Sequence, residues 1–435
     1  MDPTTIGLLS FGVMMFLIIL GVPIAFSMLA TAAGGLYIIQ GLSYATNQIS
    51  STFWDQATNF VFIAVPMYFL MGQLVYRTNI AGDLYDCVYK WLGRLPGGLA
   101  ITSVVACAGF GAVSGGSVTA VATMGPMCMP AMRRYNYDDS LATGSIASAG
   151  TLGILIPPSI ILVVYGIWTE SSIGALFIAG IIPGILMTIG YSATIWIRCI
   201  INPALGPIGE SFPLSEKVSS LTKLLPVLLT FLVVIGGIYA GVFTPTEAAA
   251  VGVFALLVIS LAMRRLNWES LSKSLLETMH TSAMIFVIII GGHMMGKFVV
   301  QTGLTQGLID WMQGLGLGPL ATMLMISILY IILGLFLDVW GMLILTLPFV
   351  YPVILALGFD PVWFGIFIVV MVEIALITPP IGINVYVMHN IAPDVELVDI
   401  FKGVMPFVLV SLIFVVLLTA FPEMALFLVD LSFTN

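Results

Sequence analysis

The sequence predicts an all-α polytopic membrane protein built from two inverted-topology repeats, each carrying a re-entrant helical hairpin and a broken helix. Three observations predict it: an apolar composition, two apolar stretches interrupted halfway, and a set of prolines that recurs at one offset. Of the 435 residues, 60% are hydrophobic and 8% charged, against roughly 45–50% and about 25% in soluble domains. A helix needs about 20 apolar residues to cross a hydrocarbon core of roughly 30 Å, and the chain supplies many such stretches. The apolar stretches make the lipid bilayer the surrounding medium, and the net charge of −8 with no basic cluster points away from a nucleic-acid partner.

Residues 6–39 are too long for one span and divide at Gly21-Val22-Pro23. The start, Met1-Asp2-Pro3, lacks the positive region of a cleaved signal peptide, so the first span is expected to remain. Further apolar stretches cover residues 60–75, 152–168, 173–197, 224–241, 248–261, 283–300, 362–388 and 404–429. Residues 98–132 and 320–357 are equally apolar but broken in the middle by small or polar residues. Segments 82–91, 267–277 and 306–312 mix charge with apolar residues and read as amphipathic interfacial helices. Thr244-Pro245-Thr246-Glu247 has capping-box spacing with proline at the first helical position, and predicts a helix start. The prolines at 203, 207 and 213 mark a linker between halves.

Lysine and arginine favour the cytoplasmic side. Placing Arg77, Lys90 and Arg94 inside puts Arg133-Arg134, Arg198, Lys217, Lys223, Arg264-Arg265, Lys273 and Lys402 inside too, and only Lys297 disagrees. The stretch 98–132 then has basic residues at both ends and opens inward. Its counterpart 320–357, flanked by Asp310 and Asp360, opens outward.

Pro126, Pro130, Asp138, Pro157 and Pro158 recur as Pro348, Pro352, Asp360, Pro379 and Pro380, each 222 positions on (348 − 126 = 222). Opposite orientation of the copies makes an inverted repeat, the arrangement of many secondary transporters, whose site lies at midplane where broken helices meet. Unpaired backbone at membrane depth costs several kcal/mol per group and survives only within protein or around a cavity or ion. The breaks here are 112–119 and 155–159 in the first copy, 337–341 and 377–384 in the second. Hydroxyl, amide and freed carbonyl oxygens suit a hard cation such as sodium; glycine and serine tips also serve tight turns and close packing. Asp338 reads as an ion or proton group, or as a cap of its tip helix. Glu373, five residues before Thr378, reads as a lock that accepts backbone hydrogen bonds at the kink, ahead of a functional carboxylate. Cys87, Cys107, Cys128 and Cys199 form no CxxC pair and read as small core residues; His280, His293 and His389 lie far apart, which disfavours a transition-metal site.

The stretches 20–26, Ser114-Gly115, Ile156-Pro157-Pro158-Ser159, 237–248 (Gly237 to Thr244-Pro245-Thr246-Glu247-Ala248) and Glu373 through Thr378-Pro379-Pro380 to Asn384 resemble the large membrane subunit of tripartite ATP-independent periplasmic (TRAP) transporters. The resemblance implies a sodium-coupled importer, not an enzyme, of a small organic acid of C4-dicarboxylate, sugar-acid or sulfonate class. It implies elevator movement of a transport domain against a scaffold in the bacterial inner membrane. The partners it implies are a small four-helix membrane subunit and a periplasmic binding protein, with sodium as coupling ion and no organic cofactor. Carried onto this sequence, a first sodium site comprises Ser114, Gly115, Ser117, Thr119 and Thr151, and a second Asp338, Gly341, Thr378, Gly382 and Asn384. Ser117, Pro158, Ser159 and Pro380 face substrate. Gly116 and Ala375 depart from the family's common serine and glycine. The expected domains are scaffold helices 1–57, a first repeat 58–200 with hairpin 98–132, and a cytoplasmic linker 201–223. Scaffold helices and arm 224–279, a second repeat 280–395 with hairpin 320–357, and a C-terminal scaffold helix 396–435 follow. A sodium-coupled carboxylate carrier without a binding protein is the rival reading. An intramembrane hydrolase is disfavoured because Asp338 and Glu373 lie at separate breaks without a histidine, and a channel because the opposed hairpins suit alternating access.

Overall fold

The computed structural model describes residues 2–314 and 318–433, which are helical with no strand among them. Among these residues, eight helices are long and apolar enough to cross a membrane, and the chain is a multi-pass membrane protein. Pro3–Ile19 and Ile24–Gln40 divide at the expected glycine and proline. Leu42–Thr58, a further helix not anticipated as an element, is too polar for hydropathy to reveal: Ser43, Thr46, Asn47, Gln48 and Asp55 interrupt it. The capping box forms, with Glu247 Oε2 accepting from Thr244 N at 2.8 Å and Thr244 Oγ1 accepting from Glu247 N at 3.3 Å.

Each interrupted stretch is a helical hairpin, Gly98–Ser114 with Ser117–Arg134 and Pro319–Gly334 with Val339–Ala356. Each is followed by a helix broken at a proline pair, Asp139–Leu155 with Ile160–Thr169 and Pro361–Ile377 with Ile383–Ile391. Both proline pairs are cis. The base of the first hairpin lies beside the end of the second broken helix, where Arg133 meets Asp394 at 2.5 Å. The base of the second lies beside the end of the first, where Tyr165 OH donates to Pro361 O at 2.6 Å and Tyr351 OH to Thr169 O at 3.3 Å. The hairpins therefore enter from opposite ends of the molecule.

Three expected boundaries need correction. The linker is an ordered strap only as far as Pro213: Gly206 O accepts from Gly97 N, and Leu205 O from Asp138 N, each at 3.0 Å, so it clamps the base of the first hairpin. From Leu214 the chain is already helical and runs to Tyr239 as one span. The segment 267–277 is the start of one 35-residue helix, Trp268–Thr302, since neither glycine nor proline separates it from the apolar run that follows. The C-terminal helix Leu397–Ala420 is no scaffold helix by its packing. A Cβ on Gly403 would overlap Ser140 O, and Trp363 Nε1 donates to Leu418 O at 2.9 Å, so the helix is clasped by both broken helices. It is the second copy's version of Ile173–Ile201; Pro183 and Pro406 inside them lie 223 positions apart (406 − 183 = 223). Residues 434 and 435 of that expectation lie outside the described residues.

Candidate functional site

Gly115 ends the first hairpin arm in the left-handed region (φ 62°), and Gly116 is extended before the next helix starts at Ser117. A Cβ on Gly115 would lie 2.8 Å from Pro158 O, so the tip sits directly on the first break and glycine is required twice over. The approach is tight on the other sides too. A Cβ on Gly72 would lie 2.9 Å from Ser114 O, one on Gly150 would lie 3.1 Å from Ser117 O, and one on Gly153 would lie 3.1 Å from Gly116 O. The tip carbonyls are therefore gathered against three glycines on neighbouring helices, a role the sequence reading did not give to Gly72, Gly150 or Gly153. The three-residue spacing of the last two was the available signal.

Asn384 enters this cluster from the second broken helix. Its Nδ2 donates to Ser117 Oγ at 2.7 Å and to Ala147 O at 3.0 Å, and the side chain is fully buried. Its Oδ1 and the buried Ser114 Oγ have no hydrogen-bond partner among the described residues. Asn384 was expected with Asp338; the structure places it with the first hairpin instead. Helix Ile383–Ile391 packs on Ser117–Arg134 and Asp139–Leu155, which brings its first turn to Ser117.

Thr151 departs the other way. Gly150 and Gly153 face the tip, and the helical turn directs Thr151 toward Tyr191, while its hydroxyl donates to Ser148 O at 2.8 Å. Thr119 is half-buried at the start of the second arm, and its carbonyl accepts from Thr123 Oγ1 at 2.7 Å. Ser159 is wholly buried and spends its hydroxyl on the break: it donates to Ile154 O and accepts from Leu162 N at 3.4 Å. Pro158 is buried beneath Gly115, and of the four expected substrate-facing residues only Pro380 is exposed.

At the second tip Asp338 Oδ1 accepts from Gly341 N at 3.0 Å and caps the helix Val339–Ala356. Thr378 Oγ1 donates to Ile374 O at 2.6 Å, and Gly382 (φ 46°) begins the helix beyond the break. Asp338 pairs with Gly341, and Thr378 lies near Gly382, but apolar side chains join the two pairs: Leu337 and Met342 meet Val372, Leu376 and Ile383.

Glu373 is fully buried, and neither of its carboxylate oxygens has a hydrogen-bond partner among the described residues. The expected lock on the kink is not made. Glu373 sits mid-helix in Pro361–Ile377, where backbone N–H groups are already used by the helix; free ones occur only at helix starts. Tyr191, hydrogen-bonded to Ser411 Oγ at 2.7 Å, lies near both Glu373 and Thr151. Among the described residues no three His, Cys, Asp or Glu side chains gather as a metal cluster.

Residues 11–424 match the family model of the tripartite ATP-independent periplasmic transporter, DctM component. The C4-dicarboxylate TRAP transporter large permease protein DctM of Pseudomonas aeruginosa is 33% identical over 395 residues, 91% of this chain and 92% of that protein. The isethionate TRAP transporter permease protein DctMQ of Oleidesulfovibrio alaskensis is 31% identical over 421 residues, 96% of this chain but 65% of that longer protein. In fold, the chain is similar to the crystal structure of the Alcanivorax borkumensis YdaH transporter, with a TM-score of 0.63 at 15% identity, covering 88% of this chain and 89% of that one.

Proposed function

This chain belongs to the DctM component family of tripartite ATP-independent periplasmic transporters, and from that premise we propose that it is the sodium-coupled large subunit importing a small organic acid. Relatives named for C4-dicarboxylates and isethionate support an acid of carboxylate or sulfonate class as cargo. The observation that carries the coupling is the cross-repeat junction of Ser114, Ser117 and Asn384. Two buried oxygens there, Ser114 Oγ and Asn384 Oδ1, lack partners beside carbonyls that close glycine packing holds in place. Such a set of hard oxygens with no thiolate or imidazole fits an alkali cation better than a transition metal.

The junction also supplies a mechanism of coupling. A cation held between Ser114 and Asn384 would tie a hairpin of one copy to a broken helix of the other, so the two move as one body. That body is the transport domain, comprising both hairpins, both broken helices and Leu397–Ala420, and it slides against a scaffold that includes Ile24–Gln40 and Trp268–Thr302. The chain works as a permease, not an enzyme, in the bacterial inner membrane. Its partners are a small four-helix membrane subunit, for which the unmatched third of the DctMQ relative leaves room, and a periplasmic binding protein that delivers the acid.

The test is uptake of labelled succinate and isethionate into proteoliposomes holding this chain and its small subunit, with and without an inward sodium gradient and a binding protein. Uptake that needs both is the expected result. Downhill flux indifferent to sodium would sink the coupled reading, and sodium-driven uptake without a binding protein would replace it with a self-sufficient carrier.

A further inference from the structure

Lys297 is the one basic residue that the inside-positive pattern leaves at the outer end, and the junction above gives it no task. It lies half-buried near the end of Trp268–Thr302 and donates to the buried Thr52 Oγ1 at 2.8 Å. It joins none of the ion pairs among the described residues; the acidic side chains next along the chain from its neighbours, Asp55 and Glu170, do not reach it. One turn earlier on the same face, the His293 ring stands 5.9 Å from the Trp168 ring at 30°. Both His293 Nε2 and Trp168 Nε1 are buried without a hydrogen-bond partner among the described residues. Trp168 belongs to the first broken helix, beside Thr169, which receives Tyr351 at the base of the outward hairpin. The cluster therefore lies at the outer mouth, between scaffold and transport domain.

Two of the three groups only donate, and the imidazole donates or accepts according to its tautomer. An ammonium offers three donors and no acceptor, with one donor used by Thr52, and an indole N–H only donates. A cation in an apolar setting without a counter-charge, next to an orphaned donor, is costly unless an anion visits. We propose that Lys297, Trp168 and His293 form a carboxylate-binding station at which the imported acid first lodges on this chain. One carboxylate oxygen meets the ammonium and the other the indole N–H. Only Gly296 separates Trp168 from the scaffold backbone, since a Cβ there would lie 3.7 Å from Trp168 Cζ2. A small retreat of the broken helix therefore uncovers the ammonium, the indole N–H and the imidazole. This site deepens the importer reading and rests on it for the identity of the anion.

The test begins without any gradient. Purified protein is titrated with sodium acetate and sodium succinate against sodium chloride, at constant sodium and ionic strength, and the unfolding temperature is followed. The wild type and Lys297→Arg should show a saturable rise with the carboxylates, with a midpoint about tenfold higher in Lys297→Gln and an intermediate one in Trp168→Phe, which keeps the ring. In proteoliposomes Lys297→Gln should raise KM for the acid about tenfold and leave kcat unchanged. Equal midpoints in wild type and Lys297→Gln, or an equal response to chloride, would overturn the proposal. Sodium-indifferent uptake by the wild type would instead remove the coupled reading and leave the anion titration standing.

Discussion

The two hairpin tips meet their breaks in different ways. In the first copy the tip backbone rests on Pro158 O, Ser117 is bound by Asn384, and Pro157, Pro158 and Ser159 are all buried. In the second, Asp338 caps its own helix, Leu337 and Met342 pack on Val372 and Leu376, and Pro379 and Pro380 stay exposed. At the repeat offset Ser117 corresponds to Val339 (339 − 117 = 222) and Asn384 to Leu162 (384 − 222 = 162). The copies thus share what backbone geometry demands, a tip and a proline break. The polar side chains that could hold an ion have collected on one side. The first tip borrows its amide from the second copy, and no reciprocal loan is made.

The largest expected effect tests the tightness of the first tip. Gly115→Ala puts a side chain in the left-handed region and against a backbone oxygen that cannot yield, at a cost of about 2–4 kcal/mol. Gly341→Ala meets the end of the Ile24 side chain, which can turn away, and the capping Asp338 Oδ1, whose displacement loosens the cap, and should cost about 1–2 kcal/mol. Thermal unfolding of the two purified variants decides; equal losses would mean that the tips are equally packed.

Next comes the loan itself. Asn384→Ala removes two hydrogen bonds and strands Ser117 Oγ in a buried site, which should cost about 1–3 kcal/mol and abolish sodium dependence of uptake. Thr378→Val removes only a bond to Ile374 O within its own helix and should cost less than about 1 kcal/mol, with sodium dependence retained. Loss of coupling in Thr378→Val but not in Asn384→Ala would reverse the assignment of the two copies.

These variants also mark where sequence stopped being informative. Hairpins, breaks and opposite orientation were legible because glycine, proline and flanking charge act locally on the backbone. Helix Leu42–Thr58 was not, because its pattern resembles a polar loop in hydropathy, and the second repeat reads short because Pro183 and Pro406 miss the common offset by one residue (406 − 183 = 223). Asn384 was expected beside Asp338 and Thr151 beside the first tip, whereas Asn384 meets Ser117 and Thr151 turns toward Tyr191. Which helix face turns to the tip is fixed by packing between segments 267 residues apart, as Ser117 and Asn384 are, and no local spacing encodes it. The place of Ala375 became intelligible only in space: a Cβ on Gly334 would overlap the Ala375 Cβ, so this contact needs glycine at 334.

A smaller effect separates capping from ion binding at the second tip. Asp338→Ala should cost about 1 kcal/mol through loss of the cap, and Asp338→Asn should recover most of it because an amide oxygen still accepts from Gly341 N. If Asp338 only caps, uptake recovers with stability in Asp338→Asn. Stability that recovers while sodium affinity stays impaired would give the second copy an ion ligand after all and narrow the contrast between the tips.

The smallest effect concerns the hairpin bases, which differ in charge. Each base carries a carboxylate cap, Asp138 or Asp360, and beyond it the first is tied by the exposed Arg133–Asp394 pair at 2.5 Å, the second by neutral bonds from Tyr165 and Tyr351. The hydrogen bond from Arg133 holds the Asp394 carboxyl below its ordinary range. A carboxyl depressed in the folded state contributes stability above the unfolded aspartate value of about 3.9 and loses it as pH falls through that value toward the folded pKa. Acidification from pH 6 to about pH 3 should therefore speed amide hydrogen exchange, corrected for its intrinsic pH dependence, around Tyr135–Asp138 more than around Phe359–Val362. In Asp394→Asn that difference should vanish. High salt should imitate the acid at the first base alone, since the screening length falls from about 10 Å at 0.1 M to about 3 Å at 1 M, where an exposed contact pair is weakened. A second base that loosened equally under acid or salt would mean that the ion pair is incidental and that both hairpins are held by their packing.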